Sequence, residues 1–220
     1  YNPKDNCVYW IGDEKNDEII NIYRTSLGSN IVEKLTDVPY IYAWNFNPEG
    51  TKIAYVARLA QNEDRLDELR VLDLITLDDA LVCQADYDYR YSWGSVCWQP
   101  DEKGVVLIAL KDMDRTYTNM VYVDMETKAM RVLTDPAKEA SLSGCGVLEE
   151  WLSEDACLFL SDQDGYANLY SFIISGQSVE QVTAYEMNVD DACYVTIDGK
   201  KYLLALQSNP IGTKISYWIL

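Results

Sequence analysis

Trp98-Gln99-Pro100-Asp101-Glu102-Lys103-Gly104-Val105-Val106-Leu107-Ile108-Ala109-Leu110 sets a large ring, a polar turn and six consecutive apolar residues in one stretch. Pro, Asp and Gly between a ring and a short apolar run describe a tight reversal into a buried strand. The same order recurs along the chain. Its opening aromatic stands at Tyr1, Phe46, Trp98, Trp151 and Tyr194, at intervals of 45, 52, 53 and 43 residues. Phe46-Asn47-Pro48-Glu49-Gly50 leads into Ile53 to Ala57, Ser153-Glu154-Asp155 into Leu158 to Leu160, and Asp198-Gly199-Lys200 into Tyr202 to Leu206. A further strand-like run follows in each unit, and Leu35-Thr36, Leu133-Thr134 and Val182-Thr183 close three of them. Regular spacing of this size is the mark of a repeat architecture.

Short runs rich in Val, Ile, Leu and Tyr, broken by turn residues, predict an all-β, antiparallel structure. Four-stranded sheets repeated radially, each burying both faces against its neighbours, are the blades of a β-propeller. The chain divides into repeats over about 1–42, 43–93, 94–146, 147–190 and 191–220, a single domain of four to five blades. Counting strands by the repeat gives three, four, four, four and three, so the expectation is an open arc of a larger propeller. The opening aromatics are expected to pack between blades, since large rings dominate core energetics. Helix is expected at two places: Ala57 to Leu69, where Leu59, Leu66 and Leu69 recur among charges, and a turn after Asp135-Pro136.

The chain carries 18 basic and 36 acidic residues, a net charge of −18, which repels phosphate backbones and anionic membranes. Nucleic acid is therefore excluded as a partner, and no stretch approaches the apolar length that would insert into a membrane. The opening residues show no signal-peptide pattern, and the compartment, cytoplasmic or periplasmic, stays open. Cys97 and Cys193 each precede an opening aromatic, while Cys7 and Cys157 each stand six residues after one. Register equivalents in different blades lie too far apart for a disulfide, so buried free thiols are expected, with Cys145, between Gly144 and Gly146, an isolated loop cysteine and all six unbridged.

Histidine is absent from the sequence. No Ser-His-Asp or Cys-His arrangement can form, no imidazole is offered to zinc, and no nucleophile elbow, phosphate loop or dinucleotide fingerprint is present. The chain itself is expected to hold no catalytic residue, metal or cofactor. The acidic pairs Asp78-Asp79, Glu149-Glu150 and Asp190-Asp191 read as solvated edges or turns, because adjacent residues on a strand point to opposite faces. Ser161-Asp162-Gln163-Asp164-Gly165 lacks the spaced ligands of a calcium loop and reads as a turn.

The run Leu158-Phe159-Leu160-Ser161-Asp162-Gln163-Asp164-Gly165-Tyr166-Ala167-Asn168-Leu169-Tyr170, with Val182-Thr183 after it, resembles the propeller repeat of serine peptidases of the prolyl oligopeptidase clan. Within that clan it looks most like the dipeptidyl-peptidase IV and acylaminoacyl-peptidase groups. Asp198-Gly199-Lys200-Lys201-Tyr202 to Ser208-Asn209-Pro210 is similar to the late propeller of the dipeptidyl-peptidase group. Tricorn-type and TolB-like propellers carry closely similar repeats. The peptidase resemblance implies a noncatalytic propeller that restricts and orients peptides for an α/β-hydrolase domain, here missing, that holds the catalytic residues. The alternative is a freestanding module that binds a protein or glycan. Glu149-Glu150 precedes the Trp151 strand directly, so the substrate-anchoring role of the dipeptidyl-peptidase glutamates does not transfer to it.

Connections between the second and third strands of a blade, and between successive blades, emerge on one face. The longest are Leu59 to Asp67, Asp86 to Trp93, Lys111 to Thr118 and Asp135 to Gly146. Asp86-Tyr87-Asp88-Tyr89-Arg90-Tyr91-Ser92-Trp93 alternates rings with charges, either as an inter-blade strand with one apolar face or as a rim suited to peptides. Tyr87, Tyr89, Arg90, Tyr91 and Trp93, with Arg65 and Arg115 on neighbouring connections, are the candidate binding residues.

Overall fold

The computed structural model describes residues 1–58, 67–85, 89–111, 118–133, 147–163, 165–209 and 212–219. These residues form five antiparallel sheets and no helix. The first sheet holds β1 (Cys7–Gly12), β2 (Asn21–Ser26) and β3 (Glu33–Lys34). The second holds β4 (Tyr40–Phe46), β5 (Lys52–Arg58), β6 (Asp67–Asp73) and β7 (Asp79–Gln84). In the third are β8 (Tyr89–Trp98), β9 (Gly104–Lys111), β10 (Thr118–Asp124) and β11 (Met130–Val132). The fourth comprises β12 (Val147–Ser153), β13 (Ala156–Ser161), β14 (Asn168–Ile173) and β15 (Ser178–Gln181). The last has β16 (Asn188–Ile197), β17 (Lys200–Asn209) and β18 (Gly212–Ile219). Strands pair in chain order, and the opening strands β4, β8, β12 and β16 pack against one another as the inner edge of the arc.

Side-chain alternation builds the arc. In β5, Ile53, Tyr55 and Ala57 face the first sheet while Ala54 and Val56 face the third. In β9, Val105, Leu107 and Ala109 face the second sheet while Val106 and Ile108 face the fourth. β13 repeats the pattern, with Cys157 and Phe159 on one side and Leu158 and Leu160 on the other. Period-two strands with both sets apolar can be satisfied only between two sheets. Each of the four clusters therefore fills one inter-sheet space, and among the described residues none joins the first sheet to the fifth.

The helix expected over Ala57 to Leu69 does not form at either end. Ala57 pairs with Glu68 and Arg58 with Asp67 across β5 and β6, so cross-strand pairing takes the residues at both ends, and 59–66 lie outside the described residues. The turn after Asp135-Pro136 also lies outside them. Ser161 to Gly165 does form a turn: the Gly165 N–H donates to the Asp162 carbonyl at 2.9 Å with Gly165 at φ 100°, Asp164 itself lying outside the description.

The opening aromatics hold the sheets in register. Trp98 and Trp151 are buried, and each indole reaches back to the residue before the preceding sheet's aromatic. Trp98 Nε1 donates to the Asn45 carbonyl at 3.3 Å, and Trp151 Nε1 to Cys97 Sγ at 3.1 Å. The residue after the aromatic reaches forward. Asn2 Nδ2 donates to the Gly50 carbonyl (2.8 Å), Asn47 Nδ2 to Glu102 Oε1 (2.7 Å) and Gln99 Nε2 to the Glu154 carbonyl (2.7 Å), each on the first turn of the next sheet. All three donors are buried, and a buried amide without a partner would cost about 1–3 kcal/mol. Tyr1, with no sheet behind it in the arc, is 64% exposed.

Five cysteines are described and all are free. Cys7 and Cys157 lie in different clusters but not in equivalent registers: the Asn6 and Asp155 carbonyls accept the matching amides of Leu27 and Ile174, so Cys7 corresponds to Ala156 and Cys157 points to the opposite side of its sheet. Burial pushes the Cys157 thiol up to about 12, leaving it protonated and inert. Contrary to the expectation of burial, Cys83 is half-buried on the outer strand β7, and Cys193 is exposed because among the described residues no sheet covers that face of the fifth. Cys145 lies outside the described residues.

Two measurements test this packing. An ideal Cβ on Gly104 would stand 2.1 Å from Tyr122 Cζ, and that ring passes there to donate to Gln99 Oε1 at 2.9 Å. Gly104→Ala is therefore expected to destabilise the chain by about 1–3 kcal/mol through overpacking, read as a lowered urea midpoint. In the outer turns, Asp73 accepts N–H bonds from Ile75 and Thr76, and Asp124 from Glu126 and Thr127. The Thr76 and Thr127 amides, first among these donors, hold the two carboxyls below the usual carboxylate range. The folded state then binds fewer protons than the unfolded one, so this stabilisation is complete above about pH 4 and is lost as pH falls through the lower folded values. Asp124→Asn should flatten the acid limb of the stability profile; an unchanged slope would refute the assignment.

Candidate binding face

A buried Asn stands at the start of β2 and of β14, on the face where the β1–β2 and β13–β14 connections and the inter-sheet linkers emerge. Asn21 Oδ1 accepts from Thr36 Oγ1 (3.0 Å) and the Val38 N–H (2.9 Å), and Asn21 Nδ2 donates to the Val38 carbonyl (3.1 Å). Thr36 Oγ1 in turn accepts the Ile22 N–H at 2.9 Å. The fourth sheet repeats the latch atom for atom: Asn168 Oδ1 takes Thr183 Oγ1 and the Tyr185 N–H, both at 2.9 Å, and Thr183 Oγ1 takes the Leu169 N–H at 2.9 Å. In these two sheets the closing Thr ties the outgoing linker to the strand that the Asn opens. In the third sheet Asn119 occupies the equivalent buried place, and Thr134 lies outside the described residues.

A second set of polar groups runs across the sheets. Tyr55 Oη donates to Asp79 Oδ2 at 2.7 Å, Arg70 Nε donates to Asp79 Oδ1 at 3.1 Å, and Arg70 Nη1 donates to Glu68 Oε2 at 2.8 Å. The first sheet has its counterpart, in which Tyr9 Oη donates to Asp5 and Arg24 Nε to Glu33 Oε2 at 2.7 Å. Burial, then the Asp5 carboxylate, pushes the Tyr9 phenol up to about 12, and burial beside Asp79 raises that of Tyr55. Asp79 is therefore engaged in a structural network. Asp190 and Asp191 are exposed, and the side chains of Glu149 and Glu150 lie outside the description.

Two features distinguish the face itself. A cleft of about 200 Å³ lies on the first sheet, lined by Glu14, Lys15, Asp17 and Ile19 from the β1–β2 connection and by Asn21, Tyr23, Lys34 and Asp37. On the second sheet Arg58, at the end of β5, lies over the Tyr42 ring at 4.3 Å and near that of Tyr40 at 5.9 Å, with its Nε 4.0 Å from Asp67 Oδ1. All four full-length inner strands break register in their first halves, between Ile41 and Ala43, Tyr91 and Val96, Val147 and Trp151, and Val189 and Asp191. Bulges of this kind re-aim side chains at a rim.

Of the residues expected to bind, Tyr89 and Arg90 open β8 at this face, paired with Lys111 and Leu110. Trp93 falls within the register break of that strand. Tyr91 is buried in the space between the second and third sheets, where its hydroxyl lies 3.0 Å from Cys83 Sγ, a packing position. Tyr87, Arg65 and Arg115 lie outside the described residues. Tyr40, Tyr42 and Arg58 were not singled out from the sequence. The Tyr40-Ile41-Tyr42 alternation shortly before Phe46 is the available signal, and in the next sheet Arg90 takes the place of Tyr40, pairing with Leu110 where Tyr40 pairs with Arg58.

No protein-family model and no curated protein sequence match the chain. Its backbone does match solved structures. TolB from Acinetobacter baumannii aligns with a TM-score of 0.69 and 16% identity over 97% of this chain and 50% of that one. The fold is a β-propeller. An oligogalacturonate lyase solved with manganese aligns at 0.69 with 14% identity over 99% of this chain and 64% of its own. The acylaminoacyl peptidase of Pyrococcus horikoshii aligns at 0.61 with 16% identity over 97% of this chain and 36% of its own. The propeller chain thus spans about half of TolB and about a third of the peptidase.

The latch yields its own test. Thr183→Val keeps the shape and removes the hydroxyl, leaving Asn168 Oδ1 with one donor fewer and the Leu169 N–H without an acceptor. A loss of about 1–3 kcal/mol is expected, with faster hydrogen exchange at Leu169 and Tyr185 in particular.

Proposed function

We propose that this chain is a noncatalytic propeller segment that captures a peptide, or an extended segment of a protein, on the face just described. In a longer protein it would restrict and orient peptides for an α/β-hydrolase domain of the prolyl oligopeptidase type. The observation that carries this reading is a division among the polar groups. Those between and across the sheets are spent on latches and registers, with Tyr42 packed between the sheets like Tyr91, whereas the face carries Tyr40 and Arg58 on one strand pair and the start of β8, Tyr89 and Arg90, on the next. Tyr and Arg are favoured anchors at interfaces because they bury large area and keep directional donors. The absence of histidine from the sequence places any Ser-His-Asp chemistry elsewhere.

A freestanding binding module of the TolB kind is the second reading, favoured by the higher TM-score of that alignment, 0.69 against 0.61 for the acylaminoacyl peptidase. A reading frame that continues into a GxSxG motif and a histidine decides for the peptidase.

Binding and stability measured together test the face. Tyr89→Ala and Arg90→Ala should each weaken capture of fluorescent peptide pools about tenfold, an anchor loss of about 1.4 kcal/mol, with the unfolding midpoint unchanged. Unchanged binding with a lowered midpoint would assign these residues to packing. The 220-residue chain should leave peptide and ester substrates intact; stoichiometric phosphonate labelling of a serine would overturn the noncatalytic assignment.

A further inference from the structure

One turn recurs in three sheets at the end of the strands away from the Arg58 rim. Arg58 pairs with Asp67 at the rim end of β6, and the β6–β7 turn follows Asp73 at the other. In that turn and its two equivalents the Leu74, Met125 and Ile174 amides donate to the Thr51, Lys103 and Asp155 carbonyls, at 2.9, 2.9 and 2.8 Å. Leu77, Lys128 and Gln177 follow at φ 62°, 60° and 50°. Backbone groups and the Asp73 and Asp124 carboxylates make the turn, so nothing in its geometry dictates the side chains at its tip. The third and fourth sheets place Glu126 with Lys128 and Ser175 with Gln177 there, all polar. The second sheet places Ile75 and Leu77 at the same positions, 78% and 43% exposed. A Leu in left-handed backbone gains nothing locally, since Gly and Asn adopt that conformation more readily.

The neighbouring turn of the first sheet has the same character. Its Leu27 amide makes the equivalent bond to the Asn6 carbonyl at 2.9 Å, and the chain then runs through Ile31 and Val32, 77% and 56% exposed. Arg24 joins the two turns: its Nε donates to Glu33, the residue after Val32, at 2.7 Å, and its Nη1 to the carbonyl of Leu74, the residue before Ile75, at 3.5 Å. Four exposed aliphatic side chains on adjoining turns form a patch, not scattered surface hydrophobics. Carboxylates flank it, Asp73 and Asp78 on either side of the second-sheet tip, in a chain of net charge −18. A second copy would set like charges against these, and an anionic lipid surface is repelled. We propose that this patch docks an amphipathic segment of a partner protein, with aliphatic side chains covering Ile31, Val32, Ile75 and Leu77 and with Lys or Arg beside them to meet Asp73 and Asp78. The patch and the Arg58 rim stand at opposite ends of the strands, so both can be occupied at once.

The test titrates the 220-residue chain into three fluorescent peptides of equal length, read by anisotropy. One is an amphipathic Leu/Lys helix, the second replaces each Leu by Ser, and the third replaces each Lys by Glu. The Leu/Lys peptide is expected to bind at least tenfold more tightly than either control. Combining Ile75→Asn with Leu77→Asn should weaken it at least tenfold while the urea midpoint holds or rises, because Asn suits the left-handed position. Ile31→Ser with Val32→Ser, on the other turn, is the second variant and should weaken the same peptide. Absence of capture, equal affinity for the Ser/Lys peptide, or unchanged affinity in both variants overturns the proposal. Self-association of the chain that either variant abolishes would assign the patch to a second copy and overturn it as well.

Discussion

Every internal sheet of this protein is buried on both faces, and the rest of the structure follows from that constraint. A strand in such a sheet must supply two apolar sets on alternate residues, as β5, β9 and β13 do. Two of the outermost strands escape it and are correspondingly polar: β15 is exposed at all four positions, and β3 is a two-residue strand of Glu and Lys, whereas β7 and β11 still pack Val82, Met130 and Val132 inward. Short, charged outer strands also blunt the edges through which sheets aggregate.

Apolar packing of this kind fixes that sheets stack but only loosely how they are rotated and shifted, because dispersion is non-directional. Hydrogen bonds at the interfaces supply the missing direction. The forward amides of Asn2, Asn47 and Gln99 and the backward indoles of Trp98 and Trp151 set the level at which one sheet meets the next. The Asn–Thr latches then fix where each linker leaves its sheet, so the connections on the candidate face start from defined points.

Much of this architecture was legible in the residues. The spacing of Tyr1, Phe46, Trp98, Trp151 and Tyr194 anticipated the sheets, and the strand count of three, four, four, four and three is the one found among the described residues. The helical pattern at Ala57 to Leu69 misled because three Leu residues at near-helical spacing also suit a hairpin whose ends are paired. Arg58 with Tyr40 and Tyr42 was missed for a different reason. A cation over a ring depends on β4 and β5 lying side by side, and β4 carries a register break that no local pattern announces. The closing Thr was visible as a repeat element, but its partner Asn stands 15 residues earlier, too far for a local motif to join them.

The paired forward and backward contacts also determine how the arc comes apart. A terminal sheet can leave by opening one interface, whereas an internal sheet must open two and strand donors on both neighbours, Asn47 on one side and Trp151 on the other for the third sheet. Nearest-neighbour coupling of this sort makes unfolding a one-dimensional process with a preferred starting place. Fraying begins at the ends and moves inward. The internal sheets, which carry the Arg58 cluster and the start of β8, outlast the first sheet and its cleft, so the candidate face loses the cleft before the Arg58 rim.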